Sequence, residues 1–261
     1  MRLRTRAALL ALMLLAAGVA SGCDGRLLGR QYEYEEDLTL ALDGSATLVV
    51  NASSAALAAL RGIDAGAIGD GARIDREKVR AAFTSPYAEV TRVSRPWRRN
   101  GRPFVQIRLR VPDVRQLSKA PAFSWSTYAL QQQDDHYEFT QTVGRSAFKP
   151  GTLPKVGWDG SELVVFRLHL PSRIQYHNAR DVDTNETLSV ERGNILIWEQ
   201  HLADRLDGAP IHIDVRMDSQ SILYRTLWLF ALAFIAAVMV IGGLIWWTVR
   251  KGAKAPTMPS A

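Results

Sequence analysis

Two groups of side chains in this 261-residue chain have the type and spacing to do chemistry. The first is Cys23, the only thiol, at the end of the stretch "LLAAGVASGCDGR". A single cysteine closes no internal disulfide, so in an exported chain it needs another explanation. The second is a basic run from Arg92 to Lys119, in which Arg92, Arg95, Arg98, Arg99, Arg102, Arg108, Arg110, Arg115 and Lys119 face one acid, Asp113. The histidines His136, His169, His177, His201 and His212 have no mutual spacing of three or four residues and no neighbouring cysteine, so no zinc set is assigned. There is no Gly-x-Ser-x-Gly elbow and no phosphate-binding loop, and the segment with Asp64 and Asp70 lacks the alternating acids of a calcium loop. No catalytic residue, metal ligand or cofactor is assigned, although a triad of residues distant in sequence stays open.

Around Cys23 the elements are those of export. Arg2, Arg4 and Arg6 precede an uncharged stretch from Ala7 to Val19, the basic and apolar regions of a signal peptide over residues 1–22. The stretch is shorter than the roughly 20 apolar residues a bilayer span requires. Ala20, Ser21 and Gly22 lead directly into Cys23, which resembles the lipobox of bacterial lipoproteins. That resemblance implies cleavage before Cys23 and acylation of its thiol. The alternative is an ordinary signal cleaved after small residues, which leaves Cys23 incidental. Asp24 resembles the inner-membrane retention signal of some Gram-negative lipoproteins.

A second membrane element lies at 227–249, "LWLFALAFIAAVMVIGGLIWWTV", free of charge. As a helix at 1.5 Å per residue it extends about 34 Å, against a hydrocarbon core of about 30 Å. Trp228, Trp246 and Trp247 are placed for the two interfaces, and Arg250, Lys251 and Lys254 in the tail 250–261 predict a cytoplasmic C-terminus. The formal charge of +6 resides in these two ends. Residues 23–225 are neutral, which removes the case for nucleic acid.

Residues 23–225 are read as one extracytoplasmic domain. Alternation through Leu38, Leu40 and Leu42, a turn at Asp43–Gly44 and a return from Ala46 to Val50 predict a hairpin. Ser53 or Ser54 caps a short helix ended by Gly62, and Asp75 caps a second that runs to Phe83. Asn100–Gly101 joins strands within "YAEVTRVSRPW" and "PFVQIRLRV". Further strands are "WSTYALQQQ", "HYEFTQTV", "ELVVFRLHLP", "TLSVERGNILIWEQHL" and "PIHIDVRM", with His169 and His212 on solvent faces. The expected class is α+β, mostly antiparallel sheet with a few short helices, plus one C-terminal transmembrane helix.

The signal and cysteine, "LTLALDGSATLVV", "LPSRIQYHNARDV" followed by "VERGNILIWEQ", and the terminal span together resemble the LppM family of bacterial membrane-anchored lipoproteins. The resemblance implies one extracytoplasmic α+β domain with no assigned enzymatic activity, and it supplies no catalytic residues.

The basic hairpin has two readings. Arg98, Arg99, Arg102, Arg108 and Arg110, with Trp97 and Phe104 near the turn, suit anionic headgroups, at about 1 kcal/mol per basic residue. The plainer and favoured reading is a solvated face paired with Glu33, Glu35, Glu36 and Asp37. As turn residues, Arg99 and Arg102 are expected to contribute little to the core. The function expected is a non-enzymatic, membrane-held binding or scaffold domain for lipid, envelope polymer or an envelope protein. The alternative is a cell-envelope hydrolase with a site assembled from distant residues. The expected location is the bacterial inner membrane, single-pass, with the main domain extracytoplasmic.

Overall fold

A computed structural model describes residues 30–66, 68, 73–147, 156–191 and 193–252. The expected signal peptide, Cys23, Asp24 and the tail beyond residue 252 lie outside them. The fold is α+β, with two sheets, short helices and one long apolar C-terminal helix.

The first hairpin is β1 (Tyr32–Leu40) and β2 (Ala46–Ser53). Gly44 sits in its turn at φ 92°, a conformation that glycine adopts without a Cβ clash. Ser53 ends β2 and caps α1 (Ser54–Arg61) by accepting from the Ala56 amide, and Gly62 ends that helix at φ 66°. Asp75 caps α2 (Arg76–Phe83) through the amides of Glu77 and Lys78. Then come β3 (Glu89–Val93), β4 (Trp97–Arg99) and β5 (Arg102–Val111), with β3 and β4 both antiparallel to β5. β6 (Ser126–Gln132) and β7 (His136–Val143) form the next hairpin. They are followed by β8 (Leu163–His169), β9 (Ser172–His177), β10 (Ile195–His201), the short α3 (Leu202–Leu206) and β11 (Ile211–Ser221).

The larger sheet has the order β10-β8-β1-β2-β5-β3, with β4 also on β5, and the smaller is β6-β7-β11-β9. Every pairing is antiparallel except β1 with β8. Two readings of the sequence are corrected. "TLSVER" is no strand, since β10 begins at Ile195 and only isolated bridges precede it. "SRIQYH", not counted as a strand, is β9, the edge of the smaller sheet. Asn178, just beyond it, ties β9, β10 and β11 together: its side chain donates to the His212 carbonyl and accepts from Trp198 Nε1 and the Asp214 amide.

Both sheets, α1 and α2 enclose one core, with Leu48, Val50, Ile107, Leu109 and Phe166 from the larger sheet meeting Tyr128, Phe139, Val215 and Met217 from the smaller. At its centre is a buried polar group. Glu36, on the inward face of β1, accepts from Arg61 Nη2 at 2.7 Å and the Tyr34 hydroxyl at 2.9 Å, with Tyr128 and Gln141 of the smaller sheet each at 3.4 Å. The Arg61 guanidinium lies 3.2 Å from the Trp125 ring centre and also contacts the Tyr34 hydroxyl. Arg205 of α3, fully buried, lies 5.8 Å from the same ring and donates to the carbonyls of Val143, Gly144 and Ala209. Burial and then the Arg61 charge push the Arg205 guanidinium down to about 10, which leaves it cationic at neutral pH.

Removing one partner of a buried pair leaves the other uncompensated, at a cost of about 3–5 kcal/mol. Arg61→Met is therefore expected to lower stability by that amount, and adding Glu36→Gln to recover part of it, as measured by thermal unfolding in detergent. Burial holds the Tyr34 and Tyr128 hydroxyls well above their usual range. Their stabilising contribution is complete below about pH 10, where unfolded tyrosines begin to ionise, and is lost as pH rises further. The double variant Tyr34→Phe/Tyr128→Phe is expected to have a shallower fall of Tm above that pH than the parent.

Candidate functional site

Strand alternation divides the basic hairpin. On β5, Val105, Ile107, Leu109 and Val111 point into the core while Arg108 and Arg110 point outward and are exposed. Arg108 lies opposite Arg92 of β3, and Arg110 opposite Glu89. The register shifts between Val90 and Arg92, so Thr91 is bulged; its hydroxyl donates to the Arg108 carbonyl at 3.1 Å. That extra residue brings Arg92 onto the outer face. Arg110 reaches Glu89 at 3.8 Å with both side chains largely in solvent, a weak pair. Arg92 and Arg108 have no carboxylate partner among the described residues. Like charges directly opposite repel, and an anion laid across them relieves that cost.

The turn arginines are placed otherwise. Arg99 donates to Glu35 at 2.8 Å and to the Tyr32 carbonyl at 2.6 Å, and covers the Phe104 ring at 4.3 Å. Arg102 is buried, with Nε 2.8 Å from Glu33 and Nη2 3.4 Å from Glu162 and 3.2 Å from Gln31 Oε1. The expectation that both contribute little to the core fails for Arg102, because the turn folds back over the acids at the start of β1. Arg98 is exposed at the tip and donates to the Gly101 carbonyl. The structure thus leaves Arg92, Arg98, Arg108 and Arg110 on the surface and takes Arg99 and Arg102 into ion pairs with acids of β1.

The rest of the outer face near β1 is internally matched. Glu35 is held by Arg167 at 2.8 Å as well as by Arg99, and Arg30 meets Glu199 and, at 3.0 Å, Asp183. Tyr32, Leu163 and Val165 form a small second core there, packed by Val182 and Ile197. His169 lies on this face as expected but is half-buried against Asp37 at 2.9 Å, while His212 is exposed. Among the described residues no group of three or more histidine, cysteine or acidic side chains is arranged to hold a metal ion.

One cleft of about 230 Å³ opens between α3 and the turn before β8, lined by Trp158, Leu202, Ala203 and Leu206 with Gly160, Glu162 and Asp207. Its walls are mainly apolar. Glu162 is already engaged there by the amides of Asp159 and Gly160 and by Arg102. In the sequence "WDGS" reads only as a turn, and Leu202 and Leu206 only as strand end and linker, so the cleft has no local signature.

The remaining feature is α4 (Ile222–Gly252), which follows β11 without a linker. Over Ile222–Arg250 it is long and apolar enough to cross a membrane, with mean hydropathy 2.6 and none of that window buried. Tyr224 and Trp228 meet edge to face at one end, and Arg250 covers Trp246 at the other.

No family model matches the chain, and no curated protein matches it. Among solved structures, the NMR structure of the folded domain of Mycobacterium tuberculosis LppM is similar at 10% identity and a TM-score of 0.38, covering 74% of this chain and 94% of that one. The relationship is distant and concerns the fold.

The division of the arginines has a stability signature. Arg102→Ala strands Glu33 and is expected to cost about 3–5 kcal/mol, whereas Arg108→Ala is expected to stay within about 0.5 kcal/mol. Thermal unfolding of the two variants checks this.

Proposed function

We propose that the chain is an LppM-like, membrane-anchored extracytoplasmic lipoprotein whose domain is a non-enzymatic binding module, and that anionic headgroups are its ligand. The observation that carries the reading is the unburied apolar surface of α4, continuous with the folded domain through β11. An apolar surface of this extent does not stand in water, and lipid is the solvent that accepts it. The basic residues after it set the C-terminus in the cytoplasm of the inner membrane and the domain outside. Cys23 is then the acylation site of an N-terminal anchor.

Two further observations favour binding over hydrolysis. The charged groups that converge, at Glu36, Glu35 and Glu33, are tied to arginines, and the cleft beside α3 is apolar with its carboxylate engaged. The exposed cations Arg92, Arg108 and Arg110 are the surface suited to headgroup phosphates.

Acylation predicts that Cys23→Ser abolishes labelling by a fatty-acid analogue while α4 keeps the protein in the membrane; unchanged labelling rules out the lipobox reading. Headgroup binding predicts that a fragment over residues 24–218 binds vesicles containing phosphatidylglycerol, less so as salt rises, since the screening length is about 10 Å at 0.1 M. The double variant Arg92→Ala/Arg108→Ala is expected to weaken binding by about 2 kcal/mol, roughly thirtyfold. A fragment that ignores such vesicles at low salt leaves envelope polymer or a protein as the ligand.

A further inference from the structure

We infer that the short segment between Cys23 and β1 holds the domain flat, with the outer face of the larger sheet laid on the bilayer from Arg110 to Trp97. The inference rests on the acylation of Cys23 proposed above.

Two points of the fold are fixed relative to the membrane. Two residues beyond the end of β8, the Pro171 carbonyl accepts from the amide of Ile222, the first residue of α4, at 3.0 Å. The end of β8 is therefore at the membrane side. β1 runs parallel to β8, with Tyr32 opposite Leu163, so β1 begins at the far end of the sheet from α4. The eight residues from Leu163 to Pro171 span about 26 Å at about 3.3 Å each. From Ile222 to Leu227, where the charge-free run begins, the helix adds about 7 Å. With the strands upright, Tyr32 stands about 33 Å above the apolar layer by the same rises per residue.

The chain available to cover that distance is the nine residues from Cys23 to Tyr32. Fully extended they reach about 30–32 Å, and a relaxed flexible chain of that length spans only about 15–18 Å. An acyl group in the bilayer together with upright strands thus demands a tether stretched to its full extension. Relaxation of the tether draws the start of β1 down toward the lipid, with the strand axes inclined toward the membrane plane.

The charges decide which face goes down. Arg110, Arg108 and Arg92 occupy the outer face of the larger sheet toward the α4 end. At the far end of the same face Trp97 is 37% exposed and stacked on Phe104 at 6.0 Å, and indole rings favour the headgroup layer. Upright strands hold Trp97 far from lipid; a flat domain sets it in the interface. The β10 side of this face has Glu199 and Asp183 matched by Arg30. Across the molecule, the outer face of the smaller sheet offers Arg216 already paired with Glu138 at 3.5 Å, and the exposed carboxylates of Asp134 and Asp135 at its hairpin turn, which anionic lipid repels.

The test uses the full acylated chain in phosphatidylcholine–phosphatidylglycerol vesicles carrying a shallow doxyl-labelled lipid. Acylation blocks the only native thiol, so bimane is placed by Arg95→Cys, beside Trp97, or by His212→Cys on the opposite face. The expected result is loss of emission at position 95 and none at 212. Emission at 95 is expected to return in Cys23→Ser, and with about twenty Gly/Ser residues inserted after Gly25, which lets the tether reach an upright domain. An unquenched position 95 in the acylated protein overturns the inference. So does quenching at 95 that survives both changes, or quenching at 212 in its place. Fatty-acid labelling of the same sample separates the two levels: no incorporation removes the lipid anchor and this inference with it, whereas incorporation with position 95 unquenched overturns the orientation alone.

Discussion

Four carboxylates on one central strand set the terms for much of this fold. β1 carries Glu33, Glu35, Glu36 and Asp37 in the middle of the larger sheet, between β2 and β8, with the three glutamates buried and Asp37 half-buried, and a polar group buried there is costly unless it is partnered. Each acid draws a residue from a distant part of the chain. Glu36 faces inward and takes Arg61 from the end of α1; Glu33 takes Arg102 from the start of β5; Glu35 takes Arg99 and Arg167; Asp37 takes His169. Such pairs add little net stability compared with apolar packing. Their effect is to penalise any arrangement in which one partner is missing, which selects this strand order.

The inward pair also joins the two sheets. Tyr128 and Gln141 belong to the smaller sheet and point to the carboxylate held by Arg61, while Trp125 has Arg61 and Arg205 against its ring. Among the described residues Arg205 has no carboxylate partner and donates to three carbonyls, so this junction holds more positive than negative charge in a desolvated site. Close packing of the surrounding core holds it in place.

The same requirement shapes the surface. The acids of β1 consume the arginines within reach and leave those on the far half of β5 and on β3 facing water. The outer face therefore grades from a matched network near β1 and β10 to unmatched cations at the β3 edge. At that edge Arg92 and Arg108 stand directly opposite each other, a repulsion that an anion laid across them would offset.

By itself the sequence determined what is local. Caps at Ser53 and Asp75, the Gly62 stop, the turns at Asp43–Gly44 and Asn100–Gly101, the alternation of β1, β5 and β8 and the apolar length of α4 all depend on residues within a few positions of one another. The resemblance of the two chain ends to lipoprotein elements is likewise linear. Tertiary structure decided which arginines are ligands of the buried acids and which stay on the surface. Arg99 and Arg102 look like Arg98 in the sequence, yet their acids lie 64 and 69 positions away, and only strand order brings them together. The bulge at Thr91 that turns Arg92 outward, the parallel pairing of β1 with β8 that sends the N-terminus to the far end, and the cleft beside α3 are equally invisible in sequence. Each is fixed by register between segments whose mutual contact is a property of the whole core.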